Sequence, residues 1–130
     1  MDNNFHTYRL CMGSNTPNGR DLVKKATALL KSEFAIVATT EIIKTASIGN
    51  ASCLFYFNSG ICLSAPLSKE NLKSRLKQIE IDFGREKGKE VVTMDIDIIT
   101  MDNTIVHPDY HKQYVKYLMN RLATKLSNTK

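Results

Sequence analysis

The spacing of apolar residues switches between period two and a period of roughly 3.6 along this chain, and the order of those switches constrains the fold most. Residues 8–12 form a short apolar run that stops at Gly13-Ser14-Asn15, a strand running into a loop. Thr16-Pro17-Asn18-Gly19 carries turn chemistry. From Asp21, the residues Leu22, Ala26 and Leu29 recur at helical spacing, flanked by Val23 and Leu30, and the stripe ends near Glu33. Residues 35–47 are rich in Ile, Val and Thr and read as a strand. Residues 52–63 read as a second, joined to the first by a turn at Gly49-Asn50. A helix over 68–83 has Ser68 as its N-cap and Leu72, Leu76, Ile79 and Phe83 on one face, with Gly84 and Gly88 ending it. Residues 91–101 form another strand. Pro108 suits the first turn of a last helix with Val115, Leu118, Leu122 and Leu126 facing inward and a frayed tail at 127–130. The order βαββαβα, with its one hairpin, predicts an α+β sandwich of the ferredoxin-like type, a mostly antiparallel sheet with helices on one face.

A chain of 130 residues predicts one domain over 1–130. Apolar residues at 42% and charged residues at 24% sit near the globular average and argue against general disorder. No apolar run approaches the roughly 18 residues of a bilayer span, and residues 1–6 are polar without a signal core, so a soluble, cytoplasmic protein with no membrane partner is expected. Cys11, Cys53 and Cys62 are odd in number and unrelated in spacing, so they read as buried small hydrophobes rather than a zinc or disulfide framework. A net charge of +5 favours an anionic partner, and Arg85, Lys87 and Lys89 are the densest basic group. Phe55-Tyr56-Phe57 lacks the glycine between aromatics of an RNA-recognition strand, so no nucleic-acid partner is expected.

The sharpest chemical signal is Met94-Asp95-Ile96-Asp97-Ile98. Strand alternation puts Asp95 and Asp97 on one face about 7 Å apart, where they repel each other unless a cation lies between or beside them. Magnesium takes few carboxylates and completes its shell with water and phosphate oxygens, so the pair suits a magnesium–nucleotide complex. A polar outer face of an edge strand explains the same pattern without a ligand. In the strand before, Tyr56 and Asn58 share a face, a ring and an amide able to stack on and hydrogen-bond a flat heterocycle. A partly exposed sheet face with a satisfied Asn58 is the plainer explanation. Phe55, Phe57, Ser59, Ile61 and Leu63 form the opposite, more apolar face, the one expected to pack on helices.

Taken in order, these residues resemble the 6-hydroxymethyl-7,8-dihydropterin pyrophosphokinase family, enzymes of folate biosynthesis. The resemblance runs from about Tyr8 to Leu118 through Gly13-Ser14-Asn15, Lys44-Thr45, Ile48-Gly49, Tyr56-Phe57-Asn58, Ile79-Glu80, Gly84-Arg85, the aspartate strand and His107-Pro108. It implies transfer of pyrophosphate from ATP to a pterin alcohol with two magnesium ions held by Asp95 and Asp97. It implies a pterin bound by Gly13, Thr45, Tyr56 and Asn58, and a nucleotide bound by Glu80, Ile98 and His107. Arg85 would act on the transferred group as the first arginine of a closing loop.

The chain departs from the family pattern at several positions. Val92 stands where an arginine precedes the aspartate strand, the loop from Arg85 to Val91 is shorter, and the chain has no tryptophan. Gln113 or a neighbour takes the place of an arginine in the last helix, and either Tyr114 or Val115 takes that of a second stacking ring. Ala46-Ser47 replace paired prolines. Lys87, Lys89 and Lys112 are candidate substitutes for the arginines, although lysine lacks their bidentate fork. Two functions follow, an active pyrophosphokinase or a weakened or non-catalytic relative that binds a pterin or nucleotide.

Overall fold

The computed structural model describes residues 5–46 and 55–128. The expected turn at Gly49-Asn50, the Ile48-Gly49 piece of the resemblance and Cys53 lie outside the described residues. Strand β1 (His6–Ser14) precedes helix α1 (Gly19–Glu33), and strands β2 (Ala35–Thr39), β3 (Ile43–Ala46) and β4 (Phe55–Ala65) follow. Helix α2 (Lys69–Asp82) leads to strands β5 (Asp95–Met101) and β6 (Thr104–Ile105), then a 3₁₀ turn (Pro108–His111) and helix α3 (Gln113–Asn128). The strands pair antiparallel in the order β2-β4-β1-β5-β6, with β3 alongside β4 beyond the end of β2. This is an α+β fold of the ferredoxin-like type.

Strand alternation builds two cores. On one face, Leu10 and Met12 of β1, Ile61 and Leu63 of β4, and Ile96 and Ile98 of β5 meet Val23, Ala26 and Leu30 of α1 and Leu72, Leu76 and Ile79 of α2. On the other, Cys11, Cys62 and Ile99 meet Val115, Leu118, Met119 and Leu122 of α3. The expectation of helices on one face therefore holds for α1 and α2 only. Helix α3 covers the second face because its stripe pairs with the apolar residues of opposite parity. Alternation from Asp95 and Asp97 aims Ile99 at this face, and a bulge in β5, where Arg9 pairs with Thr100 and Leu10 with Ile98, leaves Ile99 as the extra residue and brings Thr100 to the same face.

Local chemistry explains the remaining boundaries. The single strand expected over 35–47 is broken, because the Thr40 hydroxyl accepts the Gly60 N–H at 2.8 Å in place of a ladder bond and also donates to the Glu41 carbonyl. Glu41, bent outward there, binds Tyr117 and Arg121 of α3. In α1 the buried line is Val23, Ala26 and Leu30, with Leu22 and Leu29 half-buried beside it. Ser68 caps α2 by accepting the Asn71 N–H, and Gly84 at φ +91° turns the chain out of it. Asp102 and Asn103 both sit at positive φ and close a two-residue hairpin between β5 and β6 that the sequence reading did not anticipate. Pro108 opens a separate 3₁₀ turn rather than the last helix, and α3 continues through Asn128 instead of fraying at residue 127. Phe55, expected in the core, is 44% exposed beneath the Lys44 ammonium. Among the described residues, no helix is long and apolar enough to cross a membrane.

Candidate active site

The site begins with a row across three strands. Asn58 of β4 pairs with Gly13 of β1, which pairs with Asp95 of β5. Residues directly opposite in an antiparallel ladder share a face, so all three lie on the face that α3 covers further along. Gly13 is required there by close approach, since a Cβ would overlap the Asn58 Oδ1. Asn58 is 3% exposed, and its Nδ2 donates to Thr45 Oγ1 at 2.8 Å. Tyr56 pairs with Thr45 one step outward and is half-buried. The structure thus gathers Gly13, Thr45, Tyr56 and Asn58 into one patch.

Asp97 lies two residues along β5 from Asp95 and opposite Cys11. Burial, then the neighbouring Asp95 charge, push its carboxyl up from 3.8 to about 8. His107 Nε2 stands 3.7 Å from Asp97 Oδ1. The His107 Nδ1 accepts the Asp109 N–H at 3.0 Å, so a neutral ring carries its proton on Nε2, toward Asp97. Asp97, His107 and Asp109 each bring one donor atom within 4.8 Å of the others. Lys112 Nζ lies 3.3 Å from Asp109, at the site's border. Tyr114 is half-buried nearby, and burial together with the surrounding carboxylates raises its phenol. Val115 is core, so the ring available here is Tyr114.

Arg85 closes the other side of the pair. Its Nη1 donates to the Met94 carbonyl at 3.0 Å and lies 3.4 Å from Asp95 Oδ1 and 3.8 Å from Glu80 Oε1. Glu80 is 3% exposed, and its Oε2 accepts the Ile96 N–H at 2.8 Å on the open edge of β5. Burial raises the Glu80 carboxyl, and the Ile96 bond works against that rise. Between α2 and this edge lies a cavity of about 200 Å³. It is lined by the apolar Leu76, Ile96, Ile98 and Val106, by Asp97 and His107, and by Lys69, Lys73 and Lys77.

Sequence reasoning missed several of these residues. Asp109 follows His107-Pro108 directly, and the Lys69–Lys73–Lys77 repeat at four-residue spacing was visible as a helical stripe. Asn15 holds the loop after α2, its Oδ1 accepting the Val92 N–H at 2.7 Å and its Nδ2 donating to the Glu90 carbonyl at 2.9 Å. The Val92 carbonyl also accepts the Asn15 N–H at 3.0 Å. Lys87 and Lys89 are exposed in that loop, apart from the α2 cavity.

Among curated proteins, none matches this chain. A family model, 7,8-dihydro-6-hydroxymethylpterin-pyrophosphokinase (HPPK), matches residues 9–124 of the 130. That span runs from within β1 through most of α3 and takes in every residue of the site above, and the chain belongs to the 7,8-dihydro-6-hydroxymethylpterin-pyrophosphokinase family.

Proposed function

We propose that this protein transfers the terminal diphosphate of ATP to 6-hydroxymethyl-7,8-dihydropterin and releases AMP. The observation that carries the reading is the position of Asp97, which belongs both to the carboxylate pair and to the lining of the cavity beside α2. The pterin would lie against Gly13 and Tyr56, with its edge on Asn58 and Thr45. The nucleotide base would lie on the Ile98 floor, with Glu80 and His107 on the same side. Asp95 and Asp97 suit two magnesium ions: both offer hard oxygen donors, and the burial and the Asp95 repulsion that hold the Asp97 proton are what a dication offsets. Bound there, magnesium would neutralise phosphate charge and lower the cost of ionising the pterin hydroxyl.

In the reaction the pterin hydroxyl oxygen bonds to the β-phosphorus. The bond from that phosphorus to the α–β bridging oxygen breaks, AMP departs with the electron pair, and the hydroxyl proton passes to water. This chain's residues contribute alignment and charge. Asn58, fixed by Thr45, orients the pterin. His107 donates from Nε2 to a phosphate oxygen. Arg85 turns from Asp95 to the transferred diphosphate. The test is AMP release with ATP, magnesium and the pterin alcohol. Asp97→Asn should lose at least about a hundredfold in rate, the scale of several kcal/mol of charge stabilisation. Unchanged release in that variant overturns the mechanism.

A second reading, a relative that binds ligand without turnover, is favoured by Val92. Its backbone is committed to Asn15, and its side chain cannot supply the transition-state charge of an arginine. Pterin binding by calorimetry with no AMP release would select it.

A further inference from the structure

The break between β2 and β3 leaves a gap on the sheet face opposite Asn58. Phe57 and Ile61 of β4 pack into the core beneath α1 and α2, so Ser59 between them points the same way. Across from Ser59 no strand residue pairs on that side, since Thr39 pairs with Ile61 and Ile43 with Asn58. A cavity of about 270 Å³ remains between α1, the break and Ser59. Its charge has one sign. Lys24 and Lys31 of α1 line it, and no carboxylate does. Neither lysine is ion-paired among the described residues. Glu41, next to the break, is bound to Tyr117 and Arg121 of α3 instead. Buried hydroxyls are normally hydrogen-bonded. Thr27 and Thr40 obey this rule and donate inward, to the Val23 and Glu41 carbonyls. Ser59 does not. It is 3% exposed and lines the cavity, and its hydroxyl meets no partner among the described residues. The Thr39 hydroxyl in the same lining is equally unpaired among them.

We infer that this cavity binds a phosphate group, free or as the ester of a small aliphatic molecule. The Ser59 and Thr39 hydroxyls donate to phosphate oxygens, and the Lys24 and Lys31 ammonium groups close over them on flexible stems. Two helical turns, about 10 Å along the axis, separate the two lysines on one side of α1. The lining also sets the class of ligand. It offers no carboxylate to a magnesium ion, so the phosphate arrives without one. It offers no aromatic ring to a stacked base, while Ala28 and Ile42 give apolar surface for a few carbons. The site lies across the sheet from Asn58 and the aspartate pair, so it stands whether or not the pyrophosphokinase reading does.

The experiment is an amide NMR titration of the whole isotope-labelled chain in EDTA at low ionic strength. The probes are inorganic phosphate and glycerol 3-phosphate, with sodium chloride of matched ionic strength as the blank. Both phosphates should give saturable shifts at Thr39, Ser59 and Gly60 that chloride does not. Ser59→Ala should weaken binding about fivefold, the scale of one hydrogen bond. It should melt no lower than the unaltered protein without phosphate, because the hydroxyl it removes has no partner to lose. Lys24→Met/Lys31→Met should weaken binding at least about threefold, the scale of two screened ion pairs. Lys69→Met/Lys73→Met removes equal charge from the α2 cavity and should leave the shifts in place. Tighter binding of the ester assigns the site to an organic phosphate, and equal or weaker binding assigns it to free phosphate. Shifts confined to α2 and β5 would place the anion in the other cavity and overturn the inference. Absence of saturation, unchanged affinity in Ser59→Ala, or an equal loss in the α2 variant would overturn it too.

Discussion

Replacing Asp97 with asparagine should stabilise the ligand-free protein while removing its response to metal. The folded state holds the Asp97 proton up to about pH 8, against 3.8 for an ordinary aspartate. The folded chain therefore binds more protons than the unfolded chain between those values. Stability from this group is complete below about pH 4 and is lost as pH rises toward 8. At pH 7 the solution stands roughly three pH units above the ordinary value, at about 1.4 kcal/mol each, a ceiling of about 4 kcal/mol. The side chain is 24% exposed, so water and counterions screen part of that, leaving an expected gain of about 1–2 kcal/mol for Asp97→Asn. For a chain of this length that is about 4–8 °C in melting temperature.

The assay is thermal unfolding followed by circular dichroism, in EDTA, at pH 5 and pH 8. Asp97→Asn should melt close to the unaltered protein at pH 5 and clearly above it at pH 8. Adding magnesium with ATP should raise the unaltered protein's melting temperature and leave the variant's in place. A variant that melts below the unaltered protein at pH 8, or gains equally at both pH values, would refute the claim that burial and the Asp95 charge hold the Asp97 proton.

Gly13→Ala puts a methyl into Asn58 Oδ1, so the buried amide must shift against its Nδ2 bond to Thr45, and stability should fall by about 1–3 kcal/mol. Pterin affinity should drop at least about tenfold in the same variant while ATP affinity holds, both read by calorimetry. Asn15→Ala removes two bonds to the loop after α2 at a cost of about 1–2 kcal/mol. Amide exchange should then speed up in residues 84–94 and not in β4, and uniform acceleration would count against a local anchor. Leu118→Ala empties a fully buried position between α3 and the sheet, for a loss of about 2–4 kcal/mol by urea denaturation with the m-value unchanged.

What the sequence made legible follows from what a period reports. Alternation names the residues that share a face, so it placed Asp95 with Asp97, and Tyr56 with Asn58, before any contact was known. Those assignments needed no knowledge of neighbouring elements. Alternation does not say what covers a face, so α3 was expected beside α1 and α2 although its stripe answers to Cys11, Cys62 and Ile99. Nor does it see a change of parity within one strand. Alternation alone sends Ile98 to the α2 side and Ile99 to α3, but it would return Thr100 to the α2 side, whereas the bulge pairs Thr100 with Arg9 and keeps it on the α3 side.

The rest of the site is set by contacts between segments distant in sequence, where local pattern is silent. Asn15 meets Val92 across 77 residues, and Glu80 meets Ile96 across 16. Lys69, Lys73 and Lys77 read as an ordinary solvated stripe until the open edge of β5 is set opposite them. That edge is open because β6 pairs only with Thr100 and Met101. The chain follows that edge only until the Val106 N–H bonds the Ile99 carbonyl, and Pro108 then opens the 3₁₀ turn, so the edge from Ile98 back to Asp95 is left to face α2 across the cavity. Where β6 stops decides whether the lysines face solvent or a cavity.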